Sequence, residues 1–293
     1  MSRLLRLIIV SVLFVTGCAV TPVTDVPLPP AAPPIPKVTK ILVFVVENHS
    51  LAQMQAGMPY TFAQARRYGY ASHYRALRHP SLPNYISIIG GRPHGITDDK
   101  PPSAHKIHGS SVFGQALKAG RTVTVYADGM AKNCATSNGG NRYAVRHNPW
   151  TYFVDERTNC RRHDVPVDGL SHDITTGTLP NLGMVVPNTC NDAHDCPLAT
   201  ADKWFQTWMT RIYAGKGWKS GHLAVLLTAD EDDHKADNTV LTVVIHPSQH
   251  QHVVSTHLTH YSMTRLYDDV AHVPPLNAAH DAESLSKAFG LPS

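Results

Sequence analysis

The chain has 293 residues, with 26 Lys and Arg against 22 Asp and Glu, a formal charge of +4, and 19 histidines. The basic residues are scattered, and no Lys/Arg run interleaves with aromatics, which argues against a dedicated nucleic-acid surface. The histidines offer a large supply of metal ligands and acid/base groups.

Arg3 and Arg6 precede an apolar run from Leu7 to Val15, followed by Thr16-Gly17-Cys18. The run is short of the ~20 residues that span a bilayer. Residues 1–17 therefore read as a signal peptide whose small-residue cleavage site is followed at once by a cysteine. That pattern resembles the lipobox of bacterial lipoproteins, with Cys18 acylated. Residues 18–40 hold Pro22, Pro27, Pro29, Pro30, Pro33, Pro34 and Pro36. Proline at that density excludes helix and central strand and gives a semi-rigid spacer. The expectation is an exported protein held at the cell envelope by its lipid, with residues 41–293 forming one domain with a substantial core.

Within that domain, Ile41 to Val46 is an unbroken β-branched apolar run, a buried and parallel strand. Tyr60 to Tyr68 has helical spacing, and Tyr70 to Tyr74 reads as a strand edge. The loop His79-Pro80 delivers Ser81 to the start of a helix that runs through Ile86–Ile89 to Gly90-Gly91. A helix start presents free N–H groups and a positive dipole end, suited to a phosphate, and Asn84 could add an amide donor there. A helix follows over Ser111 to Ala119, stopped by Gly120, then strands over Thr122 to Ala127 and Leu182 to Val186. Leu198 to Ala214 is amphipathic, with Trp204, Trp208 and Ile212 on one face. Leu223 to Thr228 and Thr239 to His246 are strands, and Tyr261 to Val270 is a helix with Thr259 as its cap. Residues 97–109 and 133–179 read as loop-rich. Strands alternating with helices predict an α/β fold with a mainly parallel central sheet flanked by helices.

After Cys18, four cysteines remain, and an even number in an exported chain reads as disulfides. Three pairings are open, and proximity favours Cys134–Cys160 and Cys190–Cys196. A cysteine metal site ranks lower, since neither spacing is Cys-x-x-Cys.

Ligands of parallel α/β sheets bind at the carboxyl ends of strands. Polar residues cluster just past five strands: Glu47-Asn48-His49, His79-Pro80-Ser81, Asn188 through Asp192, His194 and Asp195, Asp230-Glu231-Asp232-Asp233, and His257 to His260. The chemistry that fits is phosphoryl transfer through a serine. A phosphate ester is anionic, so attack on it needs charge neutralisation, and a divalent metal can also turn serine into an alkoxide. Glu47 with Asp230 or Glu231 would hold that metal, Asn48 would add a neutral oxygen, and histidines would bind phosphate or protonate the leaving alcohol.

Val46-Glu47-Asn48-His49-Ser50, His79-Pro80-Ser81-Leu82-Pro83-Asn84-Tyr85, Arg146-His147-Asn148-Pro149-Trp150, Pro187-Asn188 with Asn191-Asp192-Ala193-His194-Asp195, Thr228 to Asp233, and His260-Tyr261-Ser262 occur in this order. Together they resemble the phosphoesterase family of secreted acid phosphatases and phosphocholine-type phospholipases C, a branch of the alkaline-phosphatase superfamily, and the acid-phosphatase-like members most of all. The resemblance runs from about Ile41 to about Val270.

It implies an alkaline-phosphatase-like fold and metal-dependent hydrolysis of small phosphate monoesters through a phosphoserine on Ser81. Glu47, Asn48, Ser81, Asp230 and Glu231 would be metal ligands. His194 and His260 would face the phosphate or leaving group, and His79, Asn84, His147, Asp192 and Asp195 would line the substrate site. The metal stays open among Ca, Mg, Mn, Zn and Fe. Two alternatives remain, a phosphodiesterase or phospholipase C on the same site, and a non-catalytic surface lipoprotein.

Ala229 and Ala193 depart from the family's usual aromatic and methionine, which implies altered pocket walls. Bland readings stand beside each site residue. Glu47-Asn48 could be a helix-start pair, and Asp230 to Asp233 a solvated acidic turn. His79 could cap the nucleophile loop, His147 orient the Asn-Pro-Trp turn, and Asp192 and Asp195 brace a disulfide-closed loop.

Overall fold

The computed structural model describes residues 35–293. The leader, Cys18 and most of the proline-rich segment lie outside the described residues. Within residues 35–293 no helix is long and apolar enough to cross a membrane.

In chain order the elements are β1 (Lys40–Val46), α1 (Leu51–Gly57), α2 (Pro59–Arg67), β2 (Gly69–Arg75), α3 (Ser81–Gly90), α4 (Val112–Lys118), β3 (Val123–Ala127), α5 (Arg157–His163), β4 (Asp164–Pro166), α6 (Asp168–Thr176), β5 (Leu182–Val186), α7 (Leu198–Ala214), α8 (Lys216–Lys219), β6 (Leu223–Ala229), β7 (Thr239–Ile245), β8 (His252–Val254), β9 (Leu258–Thr259), α9 (His260–Ala271) and α10 (Leu285–Ala288). The strands form one nine-stranded sheet in the order β4-β3-β5-β1-β6-β7-β2-β8, with β9 also paired to β2. Each pairing is parallel except those of β7, which runs antiparallel to both β6 and β2. The short connection between β6 and β7 forces that reversal, since a parallel return needs a crossover of a dozen residues or so. The sheet is therefore mixed at this one strand.

The folded body starts slightly earlier than the proline content suggests. Val38 is buried and its N–H donates to Pro292 O at 2.7 Å. The stretch read as loop-rich from 133 to 179 also carries three 3-10 turns, α5, β4 and α6. Short polar helices with weak periodicity leave little trace in sequence.

Helices cover both faces of the sheet. α1, α2, α6, α7 and α8 pack on one, and α3, α4, α9 and α10 on the other. α7 delivers Phe205 and Trp204 edge-on to Phe44 of β1, with ring centroids 5.1 and 6.0 Å apart. A buried aromatic of this kind contributes ~1.5–3 kcal/mol by desolvation alone. The carboxylate of Asp202 takes the Tyr60 and Thr61 N–H groups at 2.8 Å each, capping the start of α2 from α7.

All ten residues of α3 are buried, so Ser81 sits on a rigid element. The helix stops at Gly91, at φ 63°, where a Cβ would lie 2.1 Å from Leu276 O. Two disulfides, Cys134–Cys160 and Cys190–Cys196, close the loops beside the carboxyl ends of β3 and β5, in the pairing that proximity favours.

Candidate active site

Parallel register builds the site. Val46 of β1 pairs with Ala229 of β6, so Glu47 and Asp230, each one residue past its strand, emerge side by side. Asn48 turns the chain away at φ 55°, a left-handed conformation that asparagine tolerates better than most residues. Its N–H donates to Asp230 Oδ1 at 3.1 Å. From the opposite face of the sheet, the first residue of α3 donates its hydroxyl: Ser81 Oγ lies 3.0 Å from Glu47 Oε2.

On the β5 side, Glu47 N–H donates to Asp192 O at 2.8 Å. His147, fully buried, lies with Nδ1 3.0 Å from Asp192 Oδ2 and Nε2 3.3 Å from Glu47 Oε1. Tyr85 of α3 stacks on its ring at 5.2 Å. Burial, reinforced by Arg146, holds the imidazole well below its usual pKa and hence neutral. A neutral ring has a single N–H. With that proton on Nδ1, donated to Asp192, the Nε2 lone pair faces the carboxylate of Glu47. Two acceptors facing one another across a buried gap are stabilised by a cation.

Four carboxylates share this buried corner. Burial, with Asp230 and Asp192 adding like charge, pushes Glu47 well above the carboxylate range. Burial lifts Asp230 and Asp192 to about 7 each, and Glu231 to about 9 with help from Asp230. Buried oxygens without a hydrogen-bond partner include Glu47 Oε1, Asn48 Oδ1 and Asp230 Oδ2, and His147 Nε2 is likewise unpartnered. Orphaned acceptors at this density carry a large desolvation cost unless something positive satisfies them. Glu47, His147 and Asp192 bring one ligand atom each to within 4.8 Å of one another. The donor set fits a divalent cation, with a predominance of oxygen that suits a hard ion and one imidazole. The second cluster of that kind, Cys134, Cys160 and Asp164, does not, because its sulfurs are bonded to each other.

The structure changes the role of several residues singled out in the sequence. His260 does not face the pocket. It is fully buried, with Nε2 2.6 Å from the backbone oxygen of Asp230 and Nδ1 3.0 Å from Tyr74 Oη. Burial lowers its pKa to about 4, so it is a neutral brace behind the Asp230 turn. Asn84 has no donor left for an anion. Its amide nitrogen serves Arg78 O at 2.6 Å and Glu231 Oε2 at 3.0 Å, and its oxygen accepts from Leu77 N–H at 3.1 Å, locking the loop that leads into Ser81.

His79 lies between carboxylates, 3.2 Å from both Glu231 Oε2 and Asp232 Oδ1, and stacks on His234 at 3.7 Å. Glu231 is thus committed to Asn84 and His79, which sets it apart from the unpartnered oxygens of Glu47, Asn48 and Asp230. Asp232 accepts from the N–H groups of His234 at 2.8 Å and Asn238 at 3.2 Å, shaping the acidic turn. The helix-start N–H of Leu82 is also taken, by Asp99 Oδ1 at 2.9 Å.

His194 stands at the mouth, one-third exposed, with Nδ1 2.7 Å from Asp195 Oδ1. Its Nε2 accepts from Arg146 Nη2 at 3.0 Å. Arg146 Nε lies 4.0 Å from Asp99 Oδ2. Ala193, at φ 73°, makes the tight turn between Asp192 and His194. Arg146 is the residue of greatest chemical weight that sequence reasoning left out of the site. Among the described residues it is the one cation touching the ring of His194, and a planar guanidinium is suited to a phosphate. Its position next to His147 was the available signal. Asp99, in a loop without periodicity, offered none.

Residues 52–273 match the model of the Phosphoesterase family. The chain belongs to that family. This phosphoesterase, a hydrolase of ester bonds, is 25% identical over 266 residues to a phosphatidylinositol-3-phosphatase of Mycobacterium tuberculosis, covering 89% of this chain and 86% of that one. It is 27% identical over 238 residues to the phosphate-repressible acid phosphatase of Penicillium chrysogenum, covering 76% of this chain and 52% of that one. It therefore spans about half the length of the fungal enzyme. Among solved structures it resembles an alkaline-phosphatase-superfamily protein of Vibrio parahaemolyticus, with a TM-score of 0.56, 10% identity, and 86% and 73% of the two chains covered. It also resembles a 2-O GAG sulfatase, with a TM-score of 0.58, 11% identity and 87% and 74% covered. At such identities the likeness concerns the fold alone.

Proposed function

We propose that the phosphoesterase hydrolyses phosphate monoesters through a phosphoserine on Ser81, with a divalent cation in the Glu47 corner. The observation that carries this reading is the Ser81 Oγ–Glu47 Oε2 hydrogen bond of 3.0 Å beside three unpartnered buried oxygens. The two relatives, both phosphatases by name, support it.

Glu47, Asn48 and Asp230, with His147 and Asp192 beside them, would hold the cation. It would neutralise phosphate charge and lower the pKa of the serine hydroxyl. Glu47 Oε2 is placed to accept the Ser81 proton as Oγ attacks phosphorus and the ester P–O bond breaks. Arg146 is placed to bind the phosphoryl oxygens. An arriving phosphate competes with His194 for the guanidinium, and the freed Nε2 can take up a proton from solvent and pass it to the leaving oxygen. Water then cleaves the phosphoserine by the reverse proton path. Asn84 and His260 act at one remove, by fixing the loop that bears Ser81 and the turn that bears Asp230.

The two disulfides suit an oxidising compartment. With the leader read from the sequence, they support a location in the cell envelope, the protein attached there through acylated Cys18.

Ser81→Ala tests the mechanism. It should remain folded and lose nearly all hydrolysis of p-nitrophenyl phosphate. A variant that keeps near-normal turnover would overturn the serine mechanism, and wild-type turnover insensitive to chelator would overturn the metal.

A further inference from the structure

Beside the active-site rim lies a second cavity of ≈ 640 Å³, lined by Lys106, Lys132, Arg157 and Arg161, with Ser103 and Thr136 among its polar walls. No carboxylate lines it. Among the described residues, none of the four cations is in an ion pair. Nearby acids are engaged elsewhere: Asp155 with His108 and the Gly109 N–H, and Glu156 with Ser111 and Trp150. Asp164 is held by the Asn148 amide.

Arg157 is half-buried, and burial lowers its pKa. Its Nη1 reaches the sulfur of Cys134 at 3.5 Å, so the Cys134–Cys160 disulfide forms the floor on which the guanidinium rests. Four cations line this one cavity, none of them in a direct ion pair and Arg157 feeling the buried Asp164 through space, which gives the cavity a positive field suited to an anion.

The neighbouring hollow is lined by Asp99, Pro101, Ser137, Asn138 and Arg146. The two cavities are lined by residues adjacent in the chain, Pro101 and Ser137 in one and Pro102 and Thr136 in the other. Arg146 and Asp99 belong to the Ser81 site itself. A ligand long enough to pass from the Arg146 hollow into the neighbouring cavity would meet these cations.

We propose that this cavity binds a second phosphate-type group of the substrate, so that the preferred substrates are phosphomonoesters carrying at least one further phosphate. The proposal rests on the monoesterase reading, and it assigns the substrate class. The shared chemistry is a second phosphoryl group, whether on a soluble sugar bisphosphate or on a lipid headgroup.

The experiment compares fructose 6-phosphate, fructose 1,6-bisphosphate and short-chain monomeric phosphatidylinositol phosphate as substrates of the full folded domain. The comparison is made for wild type, Arg157→Gln/Arg161→Gln and Lys106→Gln/Lys132→Gln. The lysine pair is exposed, so it keeps the test open if the arginine pair fails to fold. Wild type should show a KM for the bisphosphate at least about tenfold below that for the monophosphate. Either pair should raise the bisphosphate KM by about tenfold and leave p-nitrophenyl phosphate kinetics unchanged, the scale expected for losing one charge-assisted hydrogen bond. Added salt should raise the bisphosphate KM more steeply than the monophosphate KM. A lipid KM that alone responds to the variants assigns the site to headgroups, and a bisphosphate response assigns it to soluble esters.

Equal KM values for mono- and bisphosphate in wild type together with a lipid KM that neither variant pair moves, or variants that shift all substrates alike, overturn the proposal. If wild type hydrolyses none of these esters, calorimetric binding of pyrophosphate separates the two ideas. Binding that the charge-neutral pairs abolish keeps the anion site while the monoesterase reading falls, and no binding overturns both.

Discussion

Glu47→Gln removes one charge from the buried corner while keeping the side chain's shape. Glu47 is fully buried, and its Oε1 has no hydrogen-bond donor. In chelator, the wild-type chain must keep Glu47, Asp192 and Asp230 together with only the neutral His147 ring among them, an arrangement that costs stability through desolvation and like charge. Glutamine relieves part of that cost, so the chelated variant should melt at or above wild type. With a saturating cation the order should reverse. A ligand at a hundredfold its Kd adds ~2.7 kcal/mol. In a domain of this size each kcal/mol is worth ~2–4 °C, so wild type should gain ~5–10 °C. The variant, lacking the central carboxylate, should gain little of this and hydrolyse p-nitrophenyl phosphate at least ~100-fold more slowly. Thermal melts with chelator and with Ca²⁺, Mg²⁺, Mn²⁺ or Zn²⁺ read both arms. A variant that gains as much as wild type from the same ion would refute the assignment of Glu47 as ligand. One that melts far below wild type in chelator would make Glu47 a structural residue instead.

His194→Ala should lower kcat by ~10²-fold or more on alkyl phosphates, whose alkoxide leaving groups need a proton. It should spare p-nitrophenyl phosphate, and an equal loss on both substrates would count against a proton-delivery role. Asp202→Ala strips the acceptor from the Tyr60 and Thr61 N–H groups and from the Thr61 hydroxyl at 2.7 Å. It should cost ~1–3 kcal/mol, seen as a melt lowered by several degrees with kcat unchanged. Burial raises Asp164 to about 8 from an ordinary 3.8. An acid raised in the folded state destabilises it as pH climbs, with no penalty below pH ~4 and the full one above pH ~8. At ~1.4 kcal/mol per unit the full penalty is several kcal/mol. Stability in chelator should therefore fall across that window, and Asp164→Asn should flatten the fall; an unchanged slope would contradict it.

Much of the architecture was legible because its signals are local. Ile41–Val46 could be little other than a buried strand, and α7 was bounded at Leu198 and Ala214 by its apolar stripe. Ser50, Ser111 and Thr259 cap helices as their side chains require. The reversal of β7 was not legible, because strand direction depends on which neighbour a run meets and how short its connection is.

The site divides in the same way. The residues past the strand ends were readable as a set, because the carboxyl edge of a parallel sheet collects whatever follows each strand. Which of them faces which was not. His260 and Asn84 carry the same chemistry in sequence as the other candidate site residues, yet packing turns both inward, to hold backbone and, for Asn84, the Glu231 carboxylate as well. Arg146 meets His194 across 48 residues of sequence, His194 being carried by the loop that Cys190–Cys196 closes. Residue type and spacing determined what this chain can do chemically. The register of β1 against β6 and the packing of α3 decided which atoms meet, because those contacts join residues far apart in the chain.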